Sequence, residues 1–197
     1  MVAEDCEALI FDCDGTLVNS MPIHFSAWRN TLGKYGFTLT EERFYSLAGQ
    51  PTWRLVEMLA AEHGATVDVR AVAREKEDDF VRQIHLVRAI EPIVEIARRY
   101  VGRKRMAVAS GGWRDITRMQ LGQIGVLEWF ETIVTAEDTE RHKPDPDVFL
   151  EAARRLGVRP ESCVVYEDAD LGVEAARRAG MRCVDIRVLL RQTRSTA

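Results

Sequence analysis

Short apolar runs separated by amphipathic stretches constrain the fold of this chain more than any other feature. The runs are residues 8–11, 106–109, 132–134 and 163–166, with a weaker fifth at 183–186. An unbroken apolar run of this length is typical of a strand that is buried on both faces, as in a parallel sheet. Apolar residues at helical spacing occur between the runs, in residues 92–101, 113–124, 146–156 and 170–179. This alternation predicts an α/β protein with a doubly wound parallel sheet.

One segment departs from the alternation. Roughly 75 residues between the first run and the helix near Pro92 contain no strand-like run, although a strand-to-helix connection normally takes only a few residues. Helical spacing appears there at residues 22–35, 41–47, 52–63 and 68–87. We therefore predict an inserted α-helical cap domain, residues 18–88, on a core domain formed by residues 1–17 and 89–197.

Polar residues follow the predicted strands at their carboxyl ends, which is where open α/β sheets place their ligands. The clusters are Asp12-Cys13-Asp14-Gly15-Thr16, Ser110-Gly111-Gly112, Lys143-Pro144 and Glu167-Asp168. Each is unremarkable alone, because such residues also cap turns and helices. Their occurrence in order, each after or beside a predicted strand, indicates one site at one edge of the sheet.

Phosphoryl transfer needs a nucleophile, a divalent cation and donors to the phosphoryl oxygens. The carboxylates of Asp12 and Asp168 can share a Mg²⁺ ion, which prefers oxygen ligands and offsets the repulsion between Asp12 and an anionic ester. Asp14 is the candidate acid for the leaving oxygen and the candidate base for water. The candidate phosphate ligands are the Ser110 hydroxyl, the Gly111 amide and the Lys143 ammonium group.

Residues 11–18, Phe-Asp-Cys-Asp-Gly-Thr-Leu-Val, resemble the first motif of the haloacid dehalogenase superfamily. Ser110, Lys143 and Glu167-Asp168 fall where the second, third and fourth motifs are expected, and this order extends over essentially the whole chain. The resemblance implies a Rossmann-like core with a helical cap and a Mg²⁺-dependent phosphohydrolase.

The resemblance also implies roles for single residues. Asp12 would be phosphorylated, and Asp14 would act as acid and base while binding Mg²⁺ through its backbone carbonyl. Asp168 would be a direct metal ligand, and Glu167 a direct or water-mediated one.

Within the superfamily, the chain is similar to the β-phosphoglucomutase-like branch, and especially to its bacterial phosphatases of fructose 1-phosphate and 6-phosphogluconate. The similar segments are residues 49–54, 73–76, 167–170 and 184–187. His24 and Lys76 match cap positions that face the substrate in this branch, and Arg54 is a further candidate. The resemblance implies a small phosphorylated metabolite, in particular a sugar phosphate, as substrate.

Three positions depart from the pattern of the branch. Asn19 stands where Asp is usual and Ala169 where Ser is common, and neither change affects the core chemistry. Gly112 stands where the mutase has Ser, which counts against mutase activity.

The cap residues keep alternative interpretations. His24 lies beside Phe25 in an amphipathic helix and can be a partly buried histidine without a ligand. Lys76 has charged neighbours on both sides, which alone suggests a solvated helix face. Arg54 can contribute to specificity or pack the cap on the core, and the sequence does not decide between these roles. The same holds for Trp53, Trp113 and Arg114.

Two other functions remain as alternatives. A phosphosugar mutase would return the phosphoryl group to a second hydroxyl of the substrate. A non-catalytic phosphoacceptor module also places Asp, Ser or Thr, and Lys around Mg²⁺ at strand ends. Against the second alternative stand Asp14 and the predicted cap, for which a phosphoacceptor module has no use.

Composition supports a cytoplasmic enzyme. The net charge of −4 gives no electrostatic reason to expect a nucleic acid or membrane partner, and the N-terminal residues lack the features of a signal peptide. The 4 cysteines show no CxxC spacing and are expected to be reduced, mostly buried thiols. We expect a monomer, since no feature requires a second chain.

Overall fold

The computed structural model describes residues 5–195. Within these residues, five parallel strands form one sheet in the order β3-β2-β1-β4-β5. The strands are β1 (Ala8–Phe11), β2 (Arg105–Ala109), β3 (Thr132–Val134), β4 (Cys163–Glu167) and β5 (Arg182–Asp185). The predicted α/β class with a doubly wound parallel sheet is confirmed.

Helices precede or follow every strand. They are α1 (Met21–Lys34), α2 (Glu41–Ser46), α3 (Thr52–Glu62), α4 (Val69–Arg82), α5 (Glu91–Tyr100), α6 (Arg114–Gln123), α7 (Asp147–Leu156), α8 (Asp170–Arg178) and α9 (Ile186–Ser195). Short 3-10 turns occur at Ile84–Leu86, Leu127–Trp129 and Pro160–Ser162.

The central strand β1 places Asp12 in the middle of the carboxyl edge of the sheet. Phe11, its last residue, is in register with Val108 of β2 and Tyr166 of β4. The backbone amide of Asp12 then donates to the carbonyl of Tyr166 at 3.0 Å. Successive residues of a strand point to opposite faces, so a strand that is apolar throughout is covered on both sides.

The two faces of the sheet have separate apolar interiors. Ala8 and Ile10 pack with residues of α7 and α8, whereas Leu9 and Phe11 pack with residues of α5 and α6. The second interior is continuous with the apolar side chains of α1, α3 and α4. Buried apolar side chains therefore flank the site at the sheet edge on both faces of the sheet.

The segment between β1 and α5 contains helices α1–α4, and α4 packs on both α1 and α3. Local signals begin these helices. Pro22 lies in the first turn of α1, Thr40 Oγ1 accepts from the amide of Arg43 at the start of α2, and Asp68 caps α4 by accepting from Ala71. The helical content expected of residues 18–88 is present, and the boundaries of a cap domain stay a prediction.

Two element boundaries differ from the sequence prediction. The long helix expected at 68–87 ends at Arg82 and gives way to a 3-10 turn. The strand expected at 183–186 ends at Asp185, whose carboxylate accepts from the backbone amide of Arg187 at 2.9 Å. This local hydrogen bond lies at the start of α9, a helix that was not expected from the sequence.

None of the helices in residues 5–195 is both long enough and apolar enough to cross a lipid bilayer.

Candidate active site

Asp12 forms a buried ion pair with Lys143. Lys143 Nζ lies 2.6 Å from Asp12 Oδ1 and 2.7 Å from Glu167 Oε1, and it also donates to the carbonyl of Ala109 at 3.4 Å. Burial by itself would lower the pKa of Lys143, but the charges of Asp12 and Glu167 raise it above its ordinary value. Lys143 is thus a fixed cation between the ends of β1, β2 and β4.

Three carboxylates at this edge are close enough to share a cation. Asp12, Glu167 and Asp168 each offer an oxygen, and these oxygens all lie within 4.8 Å of one another. Burial raises the pKa of Asp12 well above its ordinary value. Burial and the charge of Glu167 raise the pKa of Asp168 to about 7. One lysine does not balance three carboxylates, so the cluster favours a further positive charge.

Hydrogen bonds hold the acidic cluster in place. Thr16 Oγ1 donates to Asp168 Oδ1 at 2.7 Å, and the backbone amide of Ala169 donates to Glu167 Oε2 at 2.6 Å. Gly15 adopts a φ of +87°, and a Cβ there would lie 2.2 Å from Asp168 Oδ2. Only glycine therefore fits between the turn after β1 and Asp168.

The loop after β2 presents Ser110 and Gly111 beside this cluster. Ser110 is buried, its backbone amide donates to Val134, and its Oγ accepts from the amide of Gly112 at 2.9 Å. A Cβ on Gly111 would lie 2.3 Å from the carbonyl oxygen of Gly49. The backbone of the segment before α3 therefore lies directly against the backbone of the loop that contains Ser110.

The carboxylate of Asp14 points to the inserted helices. Its Oδ1 accepts from Ser20 Oγ at 2.6 Å, from Gln120 Nε2 at 2.6 Å and from His24 Nε2 at 2.8 Å. Burial favours a higher pKa for Asp14, but the contact with His24 and the hydrogen bonds from Ser20 and Gln120 hold the pKa well below its usual value. In this arrangement Asp14 is a deprotonated carboxylate.

His24 connects Asp14 to Lys76. Lys76 Nζ lies 2.7 Å from His24 Nδ1, and the His24 ring stacks on Phe80 with centroids 3.9 Å apart. An ammonium group only donates, so Nδ1 accepts and Nε2 carries the proton that is donated to Asp14. Lys76 is buried and also contacts Glu77 Oε1 at 3.1 Å. His24 and Lys76 are therefore part of one buried polar chain, not of a solvated helix face.

Part of this set of groups lines a cavity between the sheet edge and the inserted helices. The sheet side contributes Asp12, Asp14, Ser110, Gly111 and Glu167, and the insert contributes His24, Thr52, Lys76 and Glu77 with apolar side chains that include Met21 and Trp28. The structure thus brings the predicted catalytic, phosphate-binding and metal-binding residues to one edge of the sheet, together with two of the three predicted cap residues.

Arg54 lies outside this cavity. Its guanidinium pairs with Glu57 at 3.1 Å and is largely exposed, beside a surface groove that His142 also lines. A contact between Arg54 and a substrate in the cavity has no support from this placement, so the substrate role of Arg54 stays a prediction from the sequence.

Trp53 and Trp113 join the insert to the sheet. Their ring centroids are 6.2 Å apart, and Arg70 and Arg74 of α4 lie over Trp53 and Trp113 at 4.3 and 3.6 Å. The sequence allowed either a packing role or a specificity role for these tryptophans, and these contacts favour packing. Arg114, in contrast, pairs with Asp138 at 2.7 Å.

Sequence reasoning missed several polar residues that contact the predicted site residues. Gln120 and Ser20 bind Asp14, Thr16 binds Asp168, and Glu77 pairs with Lys76. For Gln120, the only sequence signal is a polar residue on an otherwise apolar helix face, one position before Leu121. That pattern has many other causes, and only the fold connects Gln120 to Asp14.

Comparisons with known proteins agree with this geometry. A sequence model of the haloacid dehalogenase-like hydrolases matches residues 9–186. Fructose-1-phosphate phosphatase YqaB of Escherichia coli is 42% identical over 183 residues, which cover 92% of this chain and 96% of that protein. The 6-phosphogluconate phosphatase of the same organism is 29% identical over 84% of this chain and 76% of its own length.

A solved structure shares the fold. β-Phosphoglucomutase from Clostridium difficile superposes with a TM-score of 0.80 at 23% identity, covering 90% of this chain and 83% of the other. The expected resemblance and fold family are thereby confirmed, as is the expectation that this chain is an enzyme of the phosphoric monoester hydrolase class. With its family match over most of its length, the chain belongs to the haloacid dehalogenase-like hydrolases.

Proposed function

We propose that this protein is a Mg²⁺-dependent phosphatase of a small sugar phosphate and works through an aspartyl phosphate on Asp12. The observation that carries the proposal is the position of Asp12, which lines the same cavity as Ser110 and Gly111 and contacts Lys143 at 2.6 Å. A carboxylate nucleophile, an ammonium group and two phosphate-binding groups meet there, as phosphoryl transfer requires.

The acidic cluster fits a magnesium ion. Its donors are carboxylate oxygens of Asp12, Glu167 and Asp168 within 4.8 Å of one another, which is the ligand chemistry that Mg²⁺ prefers. We propose that these residues hold the ion together with the backbone carbonyl of Asp14. When bound, the ion would offset the negative charge of the ester and of the phosphoryl group.

The first step forms a bond between a carboxylate oxygen of Asp12 and phosphorus and breaks the bond from phosphorus to the alcohol oxygen. Lys143, the Ser110 hydroxyl and the Gly111 amide bind the phosphoryl oxygens during this transfer. An anionic ester beside Asp14 favours the protonated form of that carboxyl, which then gives its proton to the leaving alcohol.

The second step releases inorganic phosphate. Asp14 is now a carboxylate and takes a proton from water, whose oxygen attacks the phosphorus of the aspartyl phosphate and frees Asp12. The hydrogen bonds from His24, Ser20 and Gln120, which lower the pKa of Asp14, position it for this step. Because Asp12 is almost wholly buried, we propose that the inserted helices move away from the sheet edge to admit substrate and water.

The substrate class rests on the relatives. The Escherichia coli protein that is 42% identical over 183 residues is named for fructose 1-phosphate, and a relative from Thermotoga maritima at 32% identity is named for phosphorylated carbohydrates. Polar side chains of the insert at the cavity suit an alcohol that carries further hydroxyl groups. A cytoplasmic location and a monomeric state stay predictions from the sequence.

The test is phosphate release from a panel of sugar phosphates and other organic phosphates, with Mg²⁺ and with EDTA. We expect a sugar phosphate to be hydrolysed only with the metal, and Asp12→Asn to abolish the reaction. Asp78→Asn, at an exposed position of α4, is the matched control and should behave as the wild type.

Two results would contradict the proposal. Substantial hydrolysis by Asp12→Asn would rule out Asp12 as the nucleophile. Conversion of β-glucose 1-phosphate to glucose 6-phosphate without release of phosphate would favour the mutase alternative.

A further inference from the structure

The segment of the insert just before α3 contacts both loops that carry the proposed phosphate-binding groups. A Cβ on Gly111 would lie 2.3 Å from the carbonyl oxygen of Gly49. A Cβ on Gly49 would in turn lie 3.2 Å from Cδ of Lys143, so Gly49 also packs on the alkyl part of that side chain. The side-chain amide of Gln50 donates to the backbone carbonyl of Lys143. One short piece of the insert thus reaches the Gly111 loop and the Lys143 loop.

Gln50 holds the backbone of a residue whose side chain is held by the core. Lys143 Nζ contacts Asp12 and Glu167, which lie at the ends of β1 and β4. The backbone of Lys143, in contrast, lies in the connection between β3 and α7, residues 135–146, which is neither strand nor helix. Such connections are more mobile than the elements that they join. The hydrogen bond from Gln50 is therefore a second anchor for Lys143, and the insert supplies it.

This anchor depends on the position of the insert. Substrate entry, as proposed above, requires the inserted helices to move away from the sheet edge. Gln50 belongs to the insert and Lys143 to the sheet side, so the hydrogen bond between them forms only when the insert is closed. Lys143 thus gains its backbone anchor when the phosphoryl group is enclosed, and small displacements of such positioned groups are costly in catalysis.

We infer that Gln50 is a positioning residue, which fixes the phosphate-binding ammonium group of Lys143 through the backbone carbonyl of that residue when the insert closes. This inference rests on the proposed phosphatase function and adds a residue that acts on its phosphate-binding cation. In this role the effect of Gln50 is the same for every ester and extends to inorganic phosphate. Gln50 also lines the cavity, so a direct contact with the alcohol is the alternative that the test must separate.

The test measures kcat/KM for two sugar phosphates that the wild type hydrolyses, and the inhibition constant of inorganic phosphate, all in Mg²⁺. Gln50→Met removes the donor and keeps the length of the side chain. We expect it to lower both kcat/KM values by the same factor, about 3- to 10-fold, as for one lost hydrogen bond between neutral groups. The inhibition constant of inorganic phosphate should rise by a similar factor.

Gln83→Met is the matched control. Gln83 Nε2 also donates to a backbone carbonyl, that of Asp79 at 3.3 Å, but this bond stays within the insert. We expect Gln83→Met to change neither kcat/KM nor the inhibition constant.

A folding defect would give a different result from a lost anchor. Partial unfolding lowers the concentration of active enzyme, and with it kcat, but leaves the inhibition constant of phosphate unchanged. Gln50→Asn covers the case in which Gln50→Met does not fold. It keeps the amide but is one methylene group shorter, which takes the amide out of hydrogen-bond range of the Lys143 carbonyl. We expect the same loss on both sugar phosphates and the same rise of the inhibition constant.

The outcomes separate this inference from the proposed function. Unchanged kcat/KM and unchanged inhibition by phosphate in Gln50→Met would overturn the role of Gln50 and leave the phosphatase assignment intact. Any loss of activity at an unchanged inhibition constant would also overturn it, and a loss on one sugar phosphate alone would make Gln50 a residue that contacts the alcohol. Failure of the wild type to release phosphate from every sugar phosphate would contradict the proposed function itself.

Discussion

Lys143 Nζ lies 2.6 Å from Asp12 Oδ1, and both side chains are almost wholly buried. The same nitrogen lies 2.7 Å from Glu167, so one cation joins the proposed nucleophile to a proposed metal ligand. Removing one member of such a group leaves uncompensated charge in the interior. The ion pair therefore connects stability to catalysis at the sheet edge.

Lys143→Met should destabilise the protein by about 3–5 kcal/mol in EDTA, because Asp12 and Glu167 lose their buried counter-charge. Mg²⁺ should restore part of this loss, and more than it adds to the wild type, since a divalent cation supplies positive charge to the same carboxylates. Urea unfolding in EDTA and in Mg²⁺ measures both effects. Lys34→Met is the control, as Lys34 forms an exposed ion pair with Glu75. Equal stability of the two variants in EDTA would contradict this account.

The strands of the sheet and the central site residues could be predicted from the sequence, because both depend on local patterns. The run before Asp12 is apolar at every position, and the motif residues follow directly after strands. The order of the strands was not predictable, because the pairing of β1 with both β2 and β4 is decided by packing between distant segments. Only the periodic spacing of residues 52–63 and similar segments identified the inserted helices.

The polar contacts around Asp14 and Lys76 could not be predicted from the sequence, for a similar reason. Gln120 and Asp14 are 106 residues apart in the chain, and neither lies in a motif that implies the other. The contacts of Glu77 with Lys76 and Thr52 likewise depend on the packing of α3 against α4 in three dimensions. Arg54 lies beside a separate surface groove, so the substrate contact that its place in a similar segment suggested stays a prediction from the sequence.

Gln120→Leu should lower kcat about tenfold with little change in KM. Gln120 Nε2 donates to Asp14 Oδ1 at 2.6 Å, and the loss of this contact leaves Asp14 less well positioned for proton transfer. Steady-state kinetics on a sugar phosphate that the wild type hydrolyses give both constants. Gln123→Leu, on the exposed face of the same helix, serves as control. A rise in KM at constant kcat would assign Gln120 to substrate binding instead.

Gly111→Ala should reduce kcat/KM by about 100-fold, because small displacements of positioned groups are costly in catalysis. The added Cβ would meet the carbonyl oxygen of Gly49 at 2.3 Å, so either the Ser110 loop or the segment before α3 must move. Gly122→Ala is the matched control, since its Cβ would meet nothing within 4 Å. Full activity of Gly111→Ala would show that the approach of Gly49 is not needed for turnover.

Asp138 should contribute to acid stability. Its carboxylate is partly buried, yet hydrogen bonds from Arg155, Arg114 and Thr135 lower its pKa below the ordinary value of 3.8. A carboxyl with a lowered pKa in the folded state stabilises that state above the ordinary pKa and loses the contribution as the pH falls below it. We expect Asp138→Asn to cost on the order of 2 kcal/mol at pH 7.

The difference between Asp138→Asn and the wild type should shrink as the pH falls below about 4, because the carboxyl of the unfolded wild type then binds a proton that the folded state does not take up. Urea unfolding of both proteins across the acid range measures it. A difference that stays constant with pH would mean that the charge of Asp138 does not stabilise the fold.

The central claim is that Asp12 carries the phosphoryl group during turnover. The direct measurement is acid quenching of the enzyme during turnover of a sugar phosphate in Mg²⁺, followed by mass spectrometry of the peptide that contains Asp12. We predict a fraction of that peptide heavier by one phosphoryl group, with the modification mapped to Asp12 and absent from Asp12→Asn. Rapid turnover with the phosphoryl group on another residue would contradict the account.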